Sequence, residues 1–254
     1  MTDFTAESQH KERADERLKV RTVMGGAFAL YRMEPGRIAL AALLTFIPID
    51  VVTVELHGLA EHLLEIGHTG LSVGAQLFAF FLVSGGQVFL AGILDQVVGA
   101  RLANRPALTL LEAALRVPLG RLIVADILVS AMAAVASLAF IVPGIVVFAL
   151  FGIVGPVINI EDRGVVDALK RSAQLVRPHL WLACVVIVAP FLIEFAIEDW
   201  YVSFAHGVPL LPEVAVSVAL SVSARAYISL LEVILGHTLI HADRREHDNF
   251  AAQT

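Results

Sequence analysis

Six apolar runs dominate the sequence, and each is close to the roughly 20 residues that a membrane-spanning helix needs. They are Gly36–Leu56, Leu71–Val98, Arg121–Val142, Ile145–Ile160, His179–Glu198 and Val214–Ile240. The composition is 57% hydrophobic and 17% charged, whereas soluble domains are about 45–50% apolar and about 25% charged. The predicted fold class is therefore all-α: a polytopic membrane bundle of six transmembrane helices.

The positions of Lys and Arg predict the orientation of these spans. All of these cations except Arg225 precede the first span, sit at the start of the first or third span, follow the sixth, or lie between the second and third or the fourth and fifth. The opposite loops, His57–Gly70 and Asp199–Glu213, contain neither residue. Because cytoplasmic loops retain Lys and Arg, we predict that both termini lie in the cytoplasm.

Three similar segments precede successive pairs of spans. Each is a small and apolar stretch that ends in Arg and is followed by Pro: Phe28–Arg32 before Pro35, Ala113–Arg116 before Pro118, and Ala173–Arg177 before Pro178. Apolar residues three and four apart are typical of an amphipathic helix, and such helices can lie in the membrane interface. We therefore predict three interfacial elbow helices, each leading into a helical hairpin.

The predicted domain organisation has three parts. Residues 1–21 form a polar cytoplasmic tail without the apolar region of a signal peptide. Residues 22–241 form the six-span membrane domain, and residues 242–254 form a second cytoplasmic tail. Pro143 and Gly144 are predicted to form the turn between the third and fourth spans. A single kinked helix over both spans is the alternative, although at about 60 Å it would be twice the hydrocarbon thickness.

The stretch from Pro143 to Trp181 carries a resemblance to a known family. Its residues include Pro143, Gly144, Pro156, Glu161, Ser172 and Trp181, in that order. The pattern resembles the YciC-like family of small six-span bacterial membrane proteins, which is similar to the membrane domain attached to some glycerophosphodiester phosphodiesterases. The resemblance implies a multi-pass protein of the bacterial inner membrane. It does not imply hydrolase activity, because we find no room for the catalytic domain of the fused relatives.

These motif residues also have a local interpretation. Pro156 is expected to loosen the end of the fourth span, and Glu161 to favour the N-terminus of the next helix. Ser172 is expected to bond to the local backbone. Lys170, Arg171 and Arg177 are predicted to face lipid headgroups, and a specific anionic-lipid site at these cations is a hypothesis.

Arg225 is the one cation that the topology leaves at mid-membrane depth. It lies about 22 Å from the end of its span at Ile240, and Glu194 and Asp50 lie about 21 Å into theirs. An isolated charge at this depth costs about 2.5–3.5 kcal/mol, which pairing partly offsets. We predict that Arg225 pairs with Glu194, with Asp50 as the second candidate. The resulting polar layer is either a structural ion pair or a working cavity.

Other polar groups are weaker candidates. Asp95, Asp126 and Glu232 lie nearer the cytoplasmic face, as lining of an inward vestibule or as snorkelling or protonated groups. His237 and His241 are interpreted as interface residues. His57, Glu61, His62, Glu65 and His68 are interpreted as a solvated helix, and no metal or other cofactor is predicted.

Nothing in the sequence forms a catalytic constellation. Nucleophile elbows and phosphate-binding glycine loops are missing from it. We predict a non-enzymatic protein of envelope maintenance or of lipid or small-molecule handling, with membrane lipids as partners and no nucleic acid. Alternatives are a homo-oligomer or membrane subunit that docks a cytoplasmic partner, and a lipid-modifying membrane enzyme.

Overall fold

The computed structural model describes residues 19–103, 105–106, 108–194, 196 and 210–251. Within these ranges the chain is helical and contains no strand. The elements are α1 (Val20–Met33), α2 (Pro35–Glu65), α3 (Thr69–Leu102), α4 (Leu110–Arg116), α5 (Leu119–Ala139), α6 (Ile141–Phe151), α7 (Val154–Glu161), α8 (Val165–Val176), α9 (Leu180–Ala183) and α10 (Leu210–Ala251). A 3₁₀ turn, Arg177–His179, precedes α9, and a π-helical turn, Cys184–Val188, follows it.

Five helical segments are long and apolar enough to cross a membrane, so the coarse prediction of a helical membrane protein is confirmed. They are Pro35–Glu65, Thr69–Leu102, Leu119–Ser137, Val142–Glu161 and Val165–Glu194. The sixth predicted span, Val214–Ile240, lies within α10.

Helices α2 and α3, which correspond to the first two predicted spans, are longer than the apolar runs that predicted them. Helix α2 continues nine residues past Leu56 to Glu65. This polar end of the helix contains no Pro, and its one Gly does not end the helix. The chain reverses over Ile66–His68, where Gly67 adopts a φ of 83°, a conformation that is strained for residues with a side chain. Most of the predicted outer loop His57–Gly70 is therefore helix.

The predicted hairpin between the third and fourth spans is present, but its turn is at Phe140. Phe140 is extended, and Pro143 lies in the first turn of α6, where its missing N–H leaves no helical hydrogen bond unmade. A methyl group at Gly144 would lie 1.9 Å from Oγ of Ser137 on α5. The prediction that Pro143-Gly144 makes the reversal is therefore wrong: Gly144 instead permits close contact between α5 and α6.

The fourth span is divided at Gly152 and Ile153. Pro156 lies four residues after Gly152 and cannot donate the hydrogen bond that would continue the helix through that carbonyl. The break thus falls before Pro156, at the middle of the span rather than at its end. Pro156 is buried and its ring contacts α10 at Gly236, where a methyl group would lie 2.4 Å from the proline Cβ.

Short helices are present at all three predicted elbows, as α1, α4 and α8. Helix α4 begins with a capping box, in which the Thr109 hydroxyl accepts a hydrogen bond from the Glu112 N–H and the Glu112 carboxylate accepts from the Thr109 N–H. The backbone and hydroxyl hydrogen bonds from Thr109 lower the pKa of Glu112. Val117, which is extended, and Pro118 then redirect the chain into α5, which begins at Leu119.

Helix α10 is central to the packing. It contacts α1, α2, α3 and α7, and its apolar side chains Leu230, Leu231 and Leu235 are fully buried. Large apolar side chains elsewhere face outward; Leu44 is 65% exposed and Trp181 is 78% exposed. Such an apolar exterior is what a protein in contact with lipid presents.

Candidate functional site

Arg225 lies between two carboxylates contributed by two other segments. Its Nε is 3.3 Å from Oε1 of Glu194, and its Nη1 is 3.2 Å from Oδ1 of Asp50. The guanidinium carbon also lies 4.8 Å from the centre of the Phe46 ring, in cation–π geometry. The pairing predicted from depth is therefore present, and both candidate acids make it at once.

The Arg225 layer is largely, but not completely, removed from the exterior. The exposed fractions of the side chains are 15% for Arg225, 12% for Glu194 and 28% for Asp50. Asp50 follows Pro48, and Glu194 follows Pro190 and the π-helical turn. Both acids therefore project from irregular parts of their helices, where backbone carbonyls are less fully bonded.

Gln87 of α3 forms hydrogen bonds with α10 next to this layer. Its Nε2 donates to the Arg225 carbonyl oxygen at 3.1 Å and to Oγ of Ser229 at 2.9 Å. The sequence reasoning missed both Gln87 and Ser229. Their spacing could have identified them, because Ser84, Gln87 and Asp95 on α3 recur at helical intervals, as do Arg225, Ser229 and Glu232 on α10.

The polar contacts continue toward the end of α3 that is predicted to be cytoplasmic. Ser84 donates to Oδ2 of Asp126 at 2.5 Å. The Glu232 carboxyl group lies near those of Asp126 and Asp95, and its Oε1 lies against Gly155, where a methyl group would be 3.2 Å away. We give the name α3/α10 polar column to Ser84, Gln87 and Asp95 of α3 together with Arg225, Ser229, Glu232 and His237 of α10; its side chains extend from the Arg225 layer to Asp95.

Asp95 and His237 form the last contact of the column. Oδ1 of Asp95 lies 2.8 Å from Nε2 of His237, and the two side chains are only 3% and 8% exposed. The interpretation of His237 as an interface residue is therefore wrong, because His237 lies on α10 and is covered by α3. His241, one turn further on, is exposed.

An open cavity of about 640 Å³ begins where the column ends. Asp95, Asn159 and His237 lie at its polar wall, so Asp95 lines a cavity. Asp126 and Glu232 lie outside its lining. The other polar residues that line it are Gln96, Arg105, Arg116, His241 and Arg244.

The predicted headgroup cluster divides in the structure. Lys170 and Arg177 are exposed, but the Arg171 side chain is only 17% exposed and turns into the protein. It pairs with Asp243 at 2.5 Å and with Glu161 at 3.4 Å. The prediction that Arg171 faces headgroups is wrong, because α10 extends beyond its apolar run and places Asp243 beside it.

The remaining motif residues also act across helices rather than locally. Ser172 is fully buried, and its Oγ donates to the Leu150 carbonyl at 2.8 Å, which joins α8 to α6. Glu161 ends α7 instead of beginning the next helix. It binds Arg163 at 2.5 Å as well as Arg171. The expectations of a local Ser172 bond and a Glu161 dipole contact are therefore wrong.

The His- and Glu-rich segment from His57 to His68 remains a surface feature. His57 bonds to the carbonyl of Thr53 one turn earlier, and His62 lies 4.0 Å from Glu65. Among the residues that the structure describes, no three His, Cys, Asp or Glu side chains are grouped closely enough to hold a metal ion.

Comparison of the chain with protein-family models, with curated proteins and with solved structures finds no match. The site is therefore interpreted from its own geometry.

Proposed function

We propose that this chain is a six-span protein of the bacterial inner membrane, similar to the YciC-like family, that handles a lipid or another small molecule without chemically converting it. Both termini lie in the cytoplasm, and the three elbow helices lie in the inner interface. The handled molecule enters from the cytoplasmic side.

The α3/α10 polar column is the observation that supports this proposal. A charged group in the middle of a membrane costs about 2.5–3.5 kcal/mol on insertion scales. A buried ion pair seldom repays its desolvation better than apolar residues of the same volume. An arrangement that only fixed helix register would need the Arg225 pair alone, whereas here polar groups continue for several turns to an open cavity.

Native mass spectrometry of the detergent-purified protein tests the proposal. We expect a lipid or small molecule from the cell to remain bound in a defined stoichiometry, and its abundance to fall when Arg225 is replaced by Met. A protein that carries no such molecule, or a bound partner protein in its place, would favour the docking-subunit alternative.

Cysteine labelling tests the topology separately. In a Cys184→Ser background, His62→Cys should react with a membrane-impermeant maleimide in intact cells. Lys170→Cys should react only after the membrane is opened. Both positions are exposed, so the reverse pattern would overturn the orientation.

A lipid-modifying enzyme is the second candidate, and the Asp95–His237 hydrogen bond is the observation that favours it. A carboxylate that orients a histidine is a common arrangement for a general base. The residues lining the adjoining cavity include no Ser, Thr or Cys nucleophile, so the base would have to activate water. Release of product from radiolabelled phospholipid by the purified protein, abolished in His237→Gln, would establish this activity in place of the first.

A further inference from the structure

We infer that the cytoplasmic cavity binds a phosphate group, and that Arg105, Arg116 and Arg244 supply the positive charge. The inference deepens the proposed function by naming the chemistry of the handled molecule. Only the biological role of the binding rests on the proposed function. Binding itself can be measured independently.

The pairing of the neighbouring cations makes these three distinctive. Arg37 and Arg101 both bind Glu34, at 2.9 Å and 2.6 Å. Arg121 binds Asp162 at 2.8 Å. Arg37, Arg101 and Arg121 thus each have a carboxylate within salt-bridge distance, and the first two share one.

The three cavity arginines have no such partner. Arg105, Arg116 and Arg244 are exposed, and no carboxylate among the described residues lies within salt-bridge distance of any of them. They come from the segment after α3, from the end of α4 and from α10, yet all line one cavity. Glu112, one turn before Arg116, interacts with it electrostatically but does not form a salt bridge. Three arginines from separate elements, none of them in a salt bridge among the described residues, therefore face a common space.

The shape and size of this space suit a ligand. Its volume of about 640 Å³ is within the range of about 300–1,000 Å³ that is usual for small-molecule sites. Its opening admits solvent, and His241 adds a further nitrogen on the same wall. The Asp95–His237 pair closes the polar wall and, being already hydrogen-bonded, leaves the arginines as the main determinants of ligand charge.

Phosphate is the anion that matches this arrangement best. A guanidinium group donates two parallel hydrogen bonds to phosphate oxygens, and a phosphate monoester carries close to two negative charges at neutral pH. A single carboxylate would offset only one of the three cations. The phosphate can belong to a lipid headgroup or to a soluble compound, because either presents phosphate oxygens to the arginines.

The test uses the full chain in detergent with two probes, which are inorganic phosphate and phosphatidic acid. Phosphate binding is followed by hydrogen-exchange protection of residues 105–116, against chloride at equal ionic strength. Lipid binding is followed by native mass spectrometry, with phosphatidylcholine as the comparison lipid. The cavity variant is Arg116→Gln/Arg244→Gln, and the matched control is Lys170→Gln/Arg177→Gln, which removes the same charge from exposed positions outside the cavity.

We expect the cavity variant to bind at least about tenfold more weakly, since it loses the charge-assisted hydrogen bonds of two guanidinium groups to phosphate, and the control to bind like the wild type. Protection by phosphate alone identifies a soluble ligand, and retention of phosphatidic acid alone identifies a headgroup. If the cavity variant does not fold, Arg116→Lys/Arg244→Lys replaces it, with severalfold weaker binding expected because Lys lacks the two-pronged contact.

Two results would overturn the inference. One is a wild-type protein that binds neither probe, and the other is an equal loss of binding in the cavity and control variants, which would indicate a diffuse surface charge effect. A protein that retains a phosphate-free molecule from the cell but binds neither probe would refute the inference and leave the proposed function intact. Binding of phosphate without any retained cellular molecule would support the inference and contradict the proposed function.

Discussion

Replacing Arg225 with Met should destabilise the protein, because it leaves two carboxylates without their shared cation. Met preserves most of the apolar contact with Phe46 but removes the charge that lies 4.8 Å from the ring centre. Removing one partner of a buried pair costs about 3–5 kcal/mol. Since Glu194 and Asp50 remain 12% and 28% exposed, solvent screening reduces this, and we expect a loss of about 3 kcal/mol.

Unfolding in mixed micelles of rising SDS fraction measures this free energy, with helicity as the readout. The pairing also predicts rescue. Adding Glu194→Gln to the Arg225→Met variant should recover roughly half of the loss, and adding Asp50→Asn as well should bring stability within about 1 kcal/mol of the wild type. Arg32→Met is the matched control, because Arg32 is exposed on α1 and its guanidinium carbon lies 5.9 Å from the centre of the Phe28 ring, also in cation–π geometry.

An Arg225→Met variant that is as stable as the wild type would show that Glu194 and Asp50 do not depend on this cation. A loss that deepens when the acids are neutralised, instead of being relieved, would show that the carboxylates are stabilised by something other than Arg225.

Three further outcomes are expected. Gly236→Ala should cost about 1–3 kcal/mol in the same unfolding assay, because the added methyl would lie 2.4 Å from a ring carbon of Pro156 that cannot rotate away. His237→Leu should cost about 3 kcal/mol by removing the His237 hydrogen bond from the buried Asp95 carboxylate, whereas replacing both partners with Leu should cost less. The pKa of Glu112 is lowered in the folded state, so its contribution to the stability of α4 is present above the unfolded pKa and is lost as the pH falls through the folded pKa. The hydrogen-exchange protection of α4, corrected for intrinsic exchange rates, should therefore fall over that pH range. This pH dependence should disappear in Thr109→Ala.

Each of these has a contrary result. Gly25→Ala is the control for Gly236→Ala, because nothing lies within 4 Å of a methyl group there, and it should raise helix stability by up to about 1 kcal/mol. Equal effects at the two glycines would refute the packing argument. A double Leu variant less stable than His237→Leu, or an α4 whose protection is independent of pH in the wild type, would refute the other two.

The sequence was most informative where one-dimensional rules suffice. Apolar run length located the membrane-spanning helices, and the combination of cation distribution with depth counting singled out Arg225 and its two acids. Both inferences depend only on distance along a helix. They hold even though a π-helical turn and two prolines distort the helices concerned.

Contacts between helices were much less predictable. Whether Arg171 faces a headgroup or Asp243 depends on how far α10 continues beyond its apolar run, which hydropathy does not report. Similarly, His237 is buried because α3 covers it, and Ser172 bonds to α6 rather than to its own turn. The grouping of Arg105, Arg116 and Arg244 around one cavity was not predicted, because Arg244 is far from the other two in sequence.

The π-helical turn Cys184–Val188 has a consequence for insertions and deletions in this chain. Its Ala189 N–H bonds to the Cys184 carbonyl five residues earlier, so this turn contains one residue more than an α-helical turn. Deleting one residue within the turn would allow a regular α-helix to form and would leave the orientation of the residues that follow almost unchanged, so Glu194 should still reach Arg225. Deleting Phe191, which lies after the turn, would instead rotate Glu194 by about 100° around the axis and should reproduce the defect of Glu194→Gln.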